Sequence, residues 1–506
     1  MERAPSFVDR IGALRPLRIR DFRLLWAGLT VSMVGDGIYL VAIAIEVLEI
    51  ANRPSALAGV GIAWASPQVL LMLASGALAD RLDRRRLMIA GDLIRLVAIG
   101  TIGALSIADR LTLPVLFGLV AVYGTGQAVF SPAFSSIIPQ VVPEDLLVAA
   151  NALGQVVRPA AWMLIGPLVG GVLVGSFGPG WAFVADAATF AWSALMILAM
   201  RTRAEPRAAE ERPRMWEDVR EGLRYVRSET WIWAALVAGT VSLLCVWGPW
   251  EVLVPYVVKN DLVRDGGEEG FALGLVYGAG GFGAVAAGLT LGQRRGLPGR
   301  PITVLYLAWA LGMLLIAGFG IVTAVWQAML VGFVAEASIG VLVVIWFTLL
   351  QRLVPRELLG RVSSLDWMIS IAGVPVSFAI VGPVASWVGV DATLIGAGVL
   401  GGAITLAFMF LPGARGPERD GRLAARTEGS AIADRPSRRA DAIPRHRPSR
   451  PPSVAVSEGP SEGPSASARV QQGDGHPYEE HRWEGGDGGC TAIDPGRRWW
   501  WPRSPC

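Results

Sequence analysis

The feature that most constrains this chain is a series of long apolar segments. A helix needs about 20 apolar residues to cross the hydrocarbon core of a bilayer. Charged residues make up 17% of the 506 residues, against roughly 25% in soluble proteins. This composition excludes an ordinary soluble enzyme and predicts an all-α integral membrane protein with twelve transmembrane helices. The segments are 22–48, 56–79, 87–107, 112–138, 148–174, 179–200, 231–257, 270–292, 301–319, 323–351, 360–387 and 391–411.

Basic residues alternate between the two sets of loops that join these segments. One side, which includes the region before segment 1, carries 24 Lys and Arg residues, and the other side carries four. Loops rich in Lys and Arg stay on the cytoplasmic side of a membrane. We therefore expect a multi-pass protein of the inner (plasma) membrane with both termini in the cytoplasm.

The segments form two sets of six with internal similarity. The residues 76–85 align with 288–297, and 142–147 align with 354–359, both at an offset of 212 residues. Such self-similarity indicates a duplicated six-helix unit. We predict an N-terminal bundle (1–200), a cytoplasmic linker with an amphipathic helix (201–230) and a C-terminal bundle (231–412).

The last part of the chain, 413–506, has a different composition. It is rich in Pro, Gly, Ser and Arg and contains few large aliphatic residues. Such a segment cannot bury enough apolar surface to offset the entropy lost on ordering. We expect it to be a disordered cytoplasmic tail.

The loop after segment 2 resembles a family signature. The major facilitator superfamily has the pattern G-x-x-x-D-[RK]-x-G-[RK]-[RK] here, and this chain has Asp83 where the family has Gly. Segments 131–139, 142–153 and 350–362 are similar to the branch that holds enterobactin exporters and macrolide-efflux-like proteins. The resemblance implies the major facilitator fold and a cytoplasmic latch between the halves. The signature residues are Gly76, Asp80, Arg81, Arg84 and Arg85.

Segment 5 partly resembles the antiporter motif of the same superfamily, G-x-x-x-G-P-x-x-G-G. Its matching residues are Gly166, Pro167, Gly170 and Gly171, and Trp162 replaces the first glycine. Proline removes one helix hydrogen bond, and small residues let helices approach closely. The alternative is that this motif is only a packing kink.

Ionisable residues within the apolar segments are the candidates for function, because a charge inside the membrane is costly. Asp36 and Glu336 each lie about 13 or 14 residues into their segments, near the middle of a ~30 Å core. In the superfamily, segments 1, 4, 7 and 10 line a central cavity. Arg158 is the predicted partner of Asp36. Other buried charges are Asp92 with Arg95, which are spaced to pair within one helix, and Asp186 and Glu251.

The three His residues all lie beyond residue 412, so carboxylates are the available proton carriers in the segments. The resemblance implies a secondary transporter that exports an amphipathic small molecule, such as a drug, macrolide or siderophore, in exchange for protons. An importer or uniporter and a non-transporting membrane sensor are the alternatives. The sequence shows no metal cluster, nucleophile motif or phosphate loop, so we expect no enzymatic activity and no cofactor. The net charge of +3 gives no reason to expect a nucleic-acid partner. We expect a monomer whose partners are the substrate, protons and the lipid bilayer.

Overall fold

The computed structural model describes residues 12–201, 215–263, 267–294 and 296–420. These ranges are predominantly helical and contain no β-strand. Within them, eleven helices are long and apolar enough to cross a membrane. The helix Pro54–Arg81 occupies the position of the remaining expected span. The predicted all-α membrane fold is therefore confirmed.

We number the transmembrane segments as spans 1 to 12 in chain order, and spans 5, 7 and 11 are each built from more than one helical piece. The spans are Arg20–Ile50; Pro54–Arg81; Arg84–Ile107; Leu113–Val141; Glu144–Pro159, Ala160–Ile165 and Gly166–Phe177; Pro179–Leu198; Thr230–Gly248, Pro249–Leu253, Val254–Val257 and Val258–Leu262; Glu269–Gly292; Pro301–Gly318; Val325–Leu353; Arg356–Ala372 and Val374–Val388; and Val390–Met409.

Two of these spans contain π-helical turns, two of which interrupt a span and one of which ends it. In span 5 the π-helical piece is Ala160–Ile165, and in span 7 the pieces are Pro249–Leu253 and Val258–Leu262. A π-turn inserts an extra residue and is frequently found at functional sites. It also re-aims the side chains that follow it around the helix.

The duplication is visible in the way that spans 5 and 11 end. Span 5 is followed by Gly178 at φ +83°, and span 11 is followed by Gly389 at φ +93°. Side chains with a Cβ rarely adopt this backbone conformation. Equivalent tight turns therefore lead into spans 6 and 12 in the two halves.

The two halves meet through spans 5 and 8 and through spans 2 and 11. The contacts include the ends that the charge pattern assigns to the outside, where the side-chain amides of Asn52 and Asn260 hydrogen-bond at 2.6 and 3.1 Å. On the inner half of span 5, the Arg158 side chain is exposed.

The linker contains the helix Met215–Ser228, as the sequence predicts. Glu221 forms an ion pair with Arg361 at the start of span 11. The next residue, Gly222, approaches the same span, because a Cβ added to it would lie 3.1 Å from the Leu365 side chain. These contacts attach the linker helix to the C-terminal half.

The described structure continues a short way into the region that the sequence assigns to the tail. Ala414 is fully buried, and the turn Gly416–Arg419 follows it. The Glu418 carboxylate accepts hydrogen bonds from the backbone N–H of Thr303 at 2.7 Å and from its hydroxyl at 2.8 Å. Residues 413–420 of the expected tail thus pack on the C-terminal half, and the rest of it, 421–506, lies outside the described residues.

Candidate functional site

A polar cluster lies inside the N-terminal half, centred on the half-buried Asp36 of span 1. The Tyr123 hydroxyl donates a hydrogen bond to the Asp36 carboxylate at 2.8 Å. The ring of Tyr39, one turn along span 1, packs on the Tyr123 ring with 4.9 Å between centroids. Spans 1 and 4 thus hold this carboxyl beside aromatic rings, and a charge within the membrane needs a partner.

Arg95 of span 3 supplies positive charge to this region. Its guanidinium forms an ion pair with Asp92, which confirms the pairing predicted from their spacing, and donates to the Gln127 side-chain oxygen at 2.9 Å. The guanidinium carbon also lies 4.4 Å from the ring centroids of both Phe130 and Phe190. Arg95 is therefore held by an ion pair, a hydrogen bond and two cation–π contacts.

Asp186 of span 6, another charge that the sequence places within the membrane segments, joins the same cluster. Its side chain is fully buried, and it lies within electrostatic range of both Asp36 and Arg95. Thr189 is 3.4 Å from one carboxylate oxygen, while the other oxygen has no hydrogen-bond partner among the described residues. The cluster thus contains three carboxyl groups beside one buried guanidinium.

Arg158, the predicted partner of Asp36, stands apart from this cluster. It lies within electrostatic range of Asp36, but no hydrogen bond or ion pair joins the two within the described ranges. Its side chain is exposed on the inner half of span 5. An exposed cation at this position can approach Asp36 only by reorienting.

The C-terminal half holds a second acidic group, formed by Glu336 of span 10 and Glu251 of span 7. The two glutamates interact electrostatically, and both side chains are partly accessible. Tyr277 of span 8 lies within electrostatic range of both carboxylates. The sequence identifies Glu251 as a buried charge, but its proximity to Glu336 depends on span packing and on the π-turn Pro249–Leu253 that carries it.

The antiporter-like residues of span 5 form close contacts with spans 1 and 8. A Cβ added to Gly166 would lie 2.6 Å from the Cα of Gly37. One added to Gly170 would lie 2.9 Å from the Cα of Ile38, and one added to Gly171 would lie 2.9 Å from the Gly270 carbonyl oxygen. Pro167 is buried beside them. The motif therefore lets one helix touch both a neighbour in its own half and a span of the other half.

The loop after span 2 is described in part. Asp83 caps span 3 by accepting a hydrogen bond from the Arg85 backbone N–H at 2.9 Å, which explains why an aspartate suits the place of the family's glycine. Arg84 is buried, and the Arg85 guanidinium donates to the Ile197 carbonyl at 2.9 Å. Both arginines contact the N-terminal half in this arrangement. The side chains of the remaining latch residues, Gly76, Asp80 and Arg81, lie outside the described residues.

Two six-helix halves, packed through spans 2, 5, 8 and 11 and holding buried carboxyls within the membrane, define a major facilitator transporter. The family described as transmembrane secretion effector, MFS_3, matches residues 11–426. This chain belongs to that family, and the predicted superfamily and branch are confirmed.

Proteins of known sequence that resemble this chain are transporters of the same type. Macrolide efflux protein A of Streptococcus pyogenes is 24% identical over 47% of this chain and 58% of its own length. An uncharacterised major facilitator transporter of Bacillus subtilis, YkuC, is 23% identical over 69% of this chain and 81% of its own length. The chain therefore spans just over half the length of the macrolide efflux relative.

Solved structures show the same fold at low sequence identity. The nucleoside transporter NupG superposes with a TM-score of 0.60 at 12% identity, over 77% of this chain and 99% of its own. A bacterial homologue of the iron transporter ferroportin, in an inward-facing state, superposes with a TM-score of 0.56 at 16% identity, over 78% and 99%. These similarities concern the fold alone.

Proposed function

We propose that this protein is a proton-coupled exporter of an amphipathic small molecule. The observation that carries the proposal is the Asp36–Tyr123 hydrogen bond inside a polar cluster with more carboxyl groups than guanidinium groups. Such a cluster can take up and release protons, because buried carboxylates without enough counter-charge are costly. The export direction is supported by the macrolide efflux relatives.

In this proposal, Asp36 and Glu336 carry protons and Arg158 responds to the charge of Asp36. When Asp36 is ionised, attraction draws the exposed guanidinium of Arg158 towards the cluster; when Asp36 is protonated, that attraction is lost. Alternating access brings the same carboxyls to both sides of the membrane in turn. Proton exchange and substrate exchange are then linked through one conformational cycle.

The close contact of spans 5 and 8 supports the alternating-access part of the proposal. Rocking of one half against the other requires an interface that can slide with little side-chain rearrangement. Gly171 and Gly274 provide such a backbone-to-backbone contact. We also propose that Asp80, Arg81, Arg84 and Arg85 form a cytoplasmic latch when the inner ends close.

The loop-charge asymmetry supports the proposed orientation with both termini in the cytoplasm. Cysteine labelling of the linker 201–230 tests this orientation. We expect labelling only by reagents that reach the inner face, and labelling from outside intact cells would contradict it.

Transport in proteoliposomes with an imposed pH gradient tests the coupling. We expect Asp36→Asn and Glu336→Gln, singly and together, to abolish uphill transport of a macrolide probe while part of downhill exchange survives. Asp391→Asn, an exposed carboxylate near the outer end of span 12, is the matched control and should transport normally. If the double variant keeps the original ratio of protons to substrate, both assignments are wrong.

A further inference from the structure

A groove lies where the linker helix meets spans 7 and 11. Its volume of about 370 Å³ falls within the range of small-molecule sites in proteins. The lining is apolar apart from one charged side chain, that of Arg227. The apolar lining residues are Leu223 and Val226 of the linker helix, Trp233, Leu236 and Val237 of span 7, and Ile369 of span 11.

The groove extends from the end of the linker helix into the membrane-spanning part of span 7. Arg227 lies in the last turn of the linker helix, just before span 7 begins at Thr230. Val237 follows Thr230 by about seven residues, which corresponds to roughly 10 Å along the helix axis. Val237 is also 42% exposed. Since this part of span 7 lies in the bilayer, the exposed floor of the groove faces lipid chains rather than water.

Three arginines follow one face of the linker helix beside this groove. Arg220, Arg224 and Arg227 are spaced four and three residues apart, so their side chains share one helix face. All three are exposed, and within the described ranges none of them forms an ion pair. Glu221, which anchors the helix to Arg361, lies off this face. The basic face is therefore available to an anion at the mouth of the groove.

We propose that this groove binds one phospholipid with an anionic headgroup. One acyl chain occupies the apolar groove, and the headgroup phosphate lies against Arg224 and Arg227. The guanidinium group offers a fork of donors that suits phosphate oxygens, and basic residues at the inner membrane surface attract anionic lipids. A free phosphate would leave the apolar groove unfilled, and a lipid without net charge would leave the basic face unbalanced. An anionic phospholipid satisfies both parts of the site.

The bound lipid attaches the linker helix to the C-terminal half at a second place. The ion pair of Glu221 with Arg361 and the close approach of Gly222 to Leu365 fix this helix to span 11. Beside span 7, the side chains leave the groove between them, and the acyl chain fills it. An anionic phospholipid therefore stabilises the protein against thermal unfolding. This effect does not depend on which ion drives transport.

Native mass spectrometry of the purified full-length protein tests the site. Delipidated protein in detergent is titrated with phosphatidylglycerol, or with phosphatidylcholine that carries the same acyl chains. We expect one phosphatidylglycerol to be retained at concentrations at which phosphatidylcholine is not. Arg224→Gln and Arg227→Gln should each weaken its binding about fivefold, the effect of one basic residue beside anionic lipid. Arg23→Gln removes an exposed arginine at the start of span 1 and is the matched control, which should bind as the wild type does.

Blocking the groove tests the acyl-chain contact separately from the charge. Val237→Phe places a larger side chain in the groove and keeps every arginine, so it should weaken phosphatidylglycerol binding at least about fivefold. Val122→Phe, at a valine of span 4 that is 44% exposed, is the matched control and should bind normally. Phosphatidylglycerol should raise the melting temperature of the wild type and of both controls, but not that of Val237→Phe.

Several results would overturn the proposal. Equal retention of the two lipids would show that the headgroup charge is not recognised. Wild-type affinity in Val237→Phe, or in the double variant of Arg224→Gln with Arg227→Gln, would show that the lipid binds elsewhere. Displacement of phosphatidylglycerol by inorganic phosphate or by a macrolide probe would assign the groove to a free anion or to the substrate instead. If Arg227→Gln is not recovered as a folded protein, Arg224→Gln and Val237→Phe carry the test.

Discussion

The contact between spans 5 and 8 predicts a strong effect of one methyl group on the conformational equilibrium. A Cβ added to Gly274 would lie 2.6 Å from the Pro167 carbonyl oxygen and 2.7 Å from the Cα of Gly171. Both atoms belong to the backbone and cannot rotate away. Since ordinary contacts begin at 3.4 Å, Gly274→Ala requires the spans to separate by about 0.8 Å.

Overpacking of this kind costs about 1–3 kcal/mol, which corresponds to a shift of roughly 5- to 150-fold in a two-state equilibrium. The cost falls on the arrangement in which these spans touch. We therefore expect Gly274→Ala to depopulate the arrangement in which spans 5 and 8 touch, relative to the wild type.

Disulfide cross-linking across the outer ends of the two halves measures this population. The variants Asn52→Cys and Asn260→Cys replace two side chains that hydrogen-bond directly, in a background from which the native cysteines have been removed. We expect the initial cross-linking rate to fall at least about fivefold in Gly274→Ala.

Gly288→Ala is the matched control, because Gly288 lies in the same helix and a Cβ there would meet nothing within 4 Å. Both substitutions change helix propensity equally, so the difference between them isolates the contact. If Gly274→Ala cross-links as fast as Gly288→Ala, the contact does not limit the equilibrium and the reasoning is refuted.

Three other predictions concern stability and the chain end. Arg95→Gln should destabilise the protein by about 3–5 kcal/mol, because it leaves the Asp92 carboxylate buried without its partner. In thermal unfolding, the double variant Arg95→Gln with Asp92→Asn should recover part of this loss. A double variant that is as unstable as Arg95→Gln, or less stable, would contradict the ion-pair account. Deleting 421–506 should leave membrane abundance and flux nearly unchanged, and a loss of flux at normal abundance would contradict this. Glu418→Ala should lower thermal stability, because it removes the carboxylate that binds Thr303. An unchanged melting temperature for Glu418→Ala would contradict that expectation.

Local sequence patterns predict the helical framework and the short-range contacts. Apolar length gives the spans, because each helix satisfies its own backbone hydrogen bonds inside the bilayer. The three-residue spacing of Asp92 and Arg95 gives their ion pair, because residues three apart share one face of a helix. The repeat at an offset of 212 residues indicates two equivalent halves before any coordinate is known.

Which carboxyl residues lie together in each half depends instead on contacts between segments that are far apart in the sequence. The sequence marks Asp36 and Glu336 by their depth in the membrane, but it does not show that Asp186 lies near the first or that Glu251 lies near the second. In the C-terminal half, the π-turn at Pro249–Leu253 also changes which way Glu251 points, and no regular periodicity anticipates such a turn.

The sequence alone thus determined which segments enter the membrane and which carboxyl residues these segments carry. It also determined that the segments form a duplicated six-helix unit. The tertiary structure decided which of those carboxyls share a site and which has a guanidinium beside it. The physical reason is that insertion depends on the hydrophobicity of each segment separately. Electrostatic pairing depends on distances between helices, which are set by where small residues allow close packing.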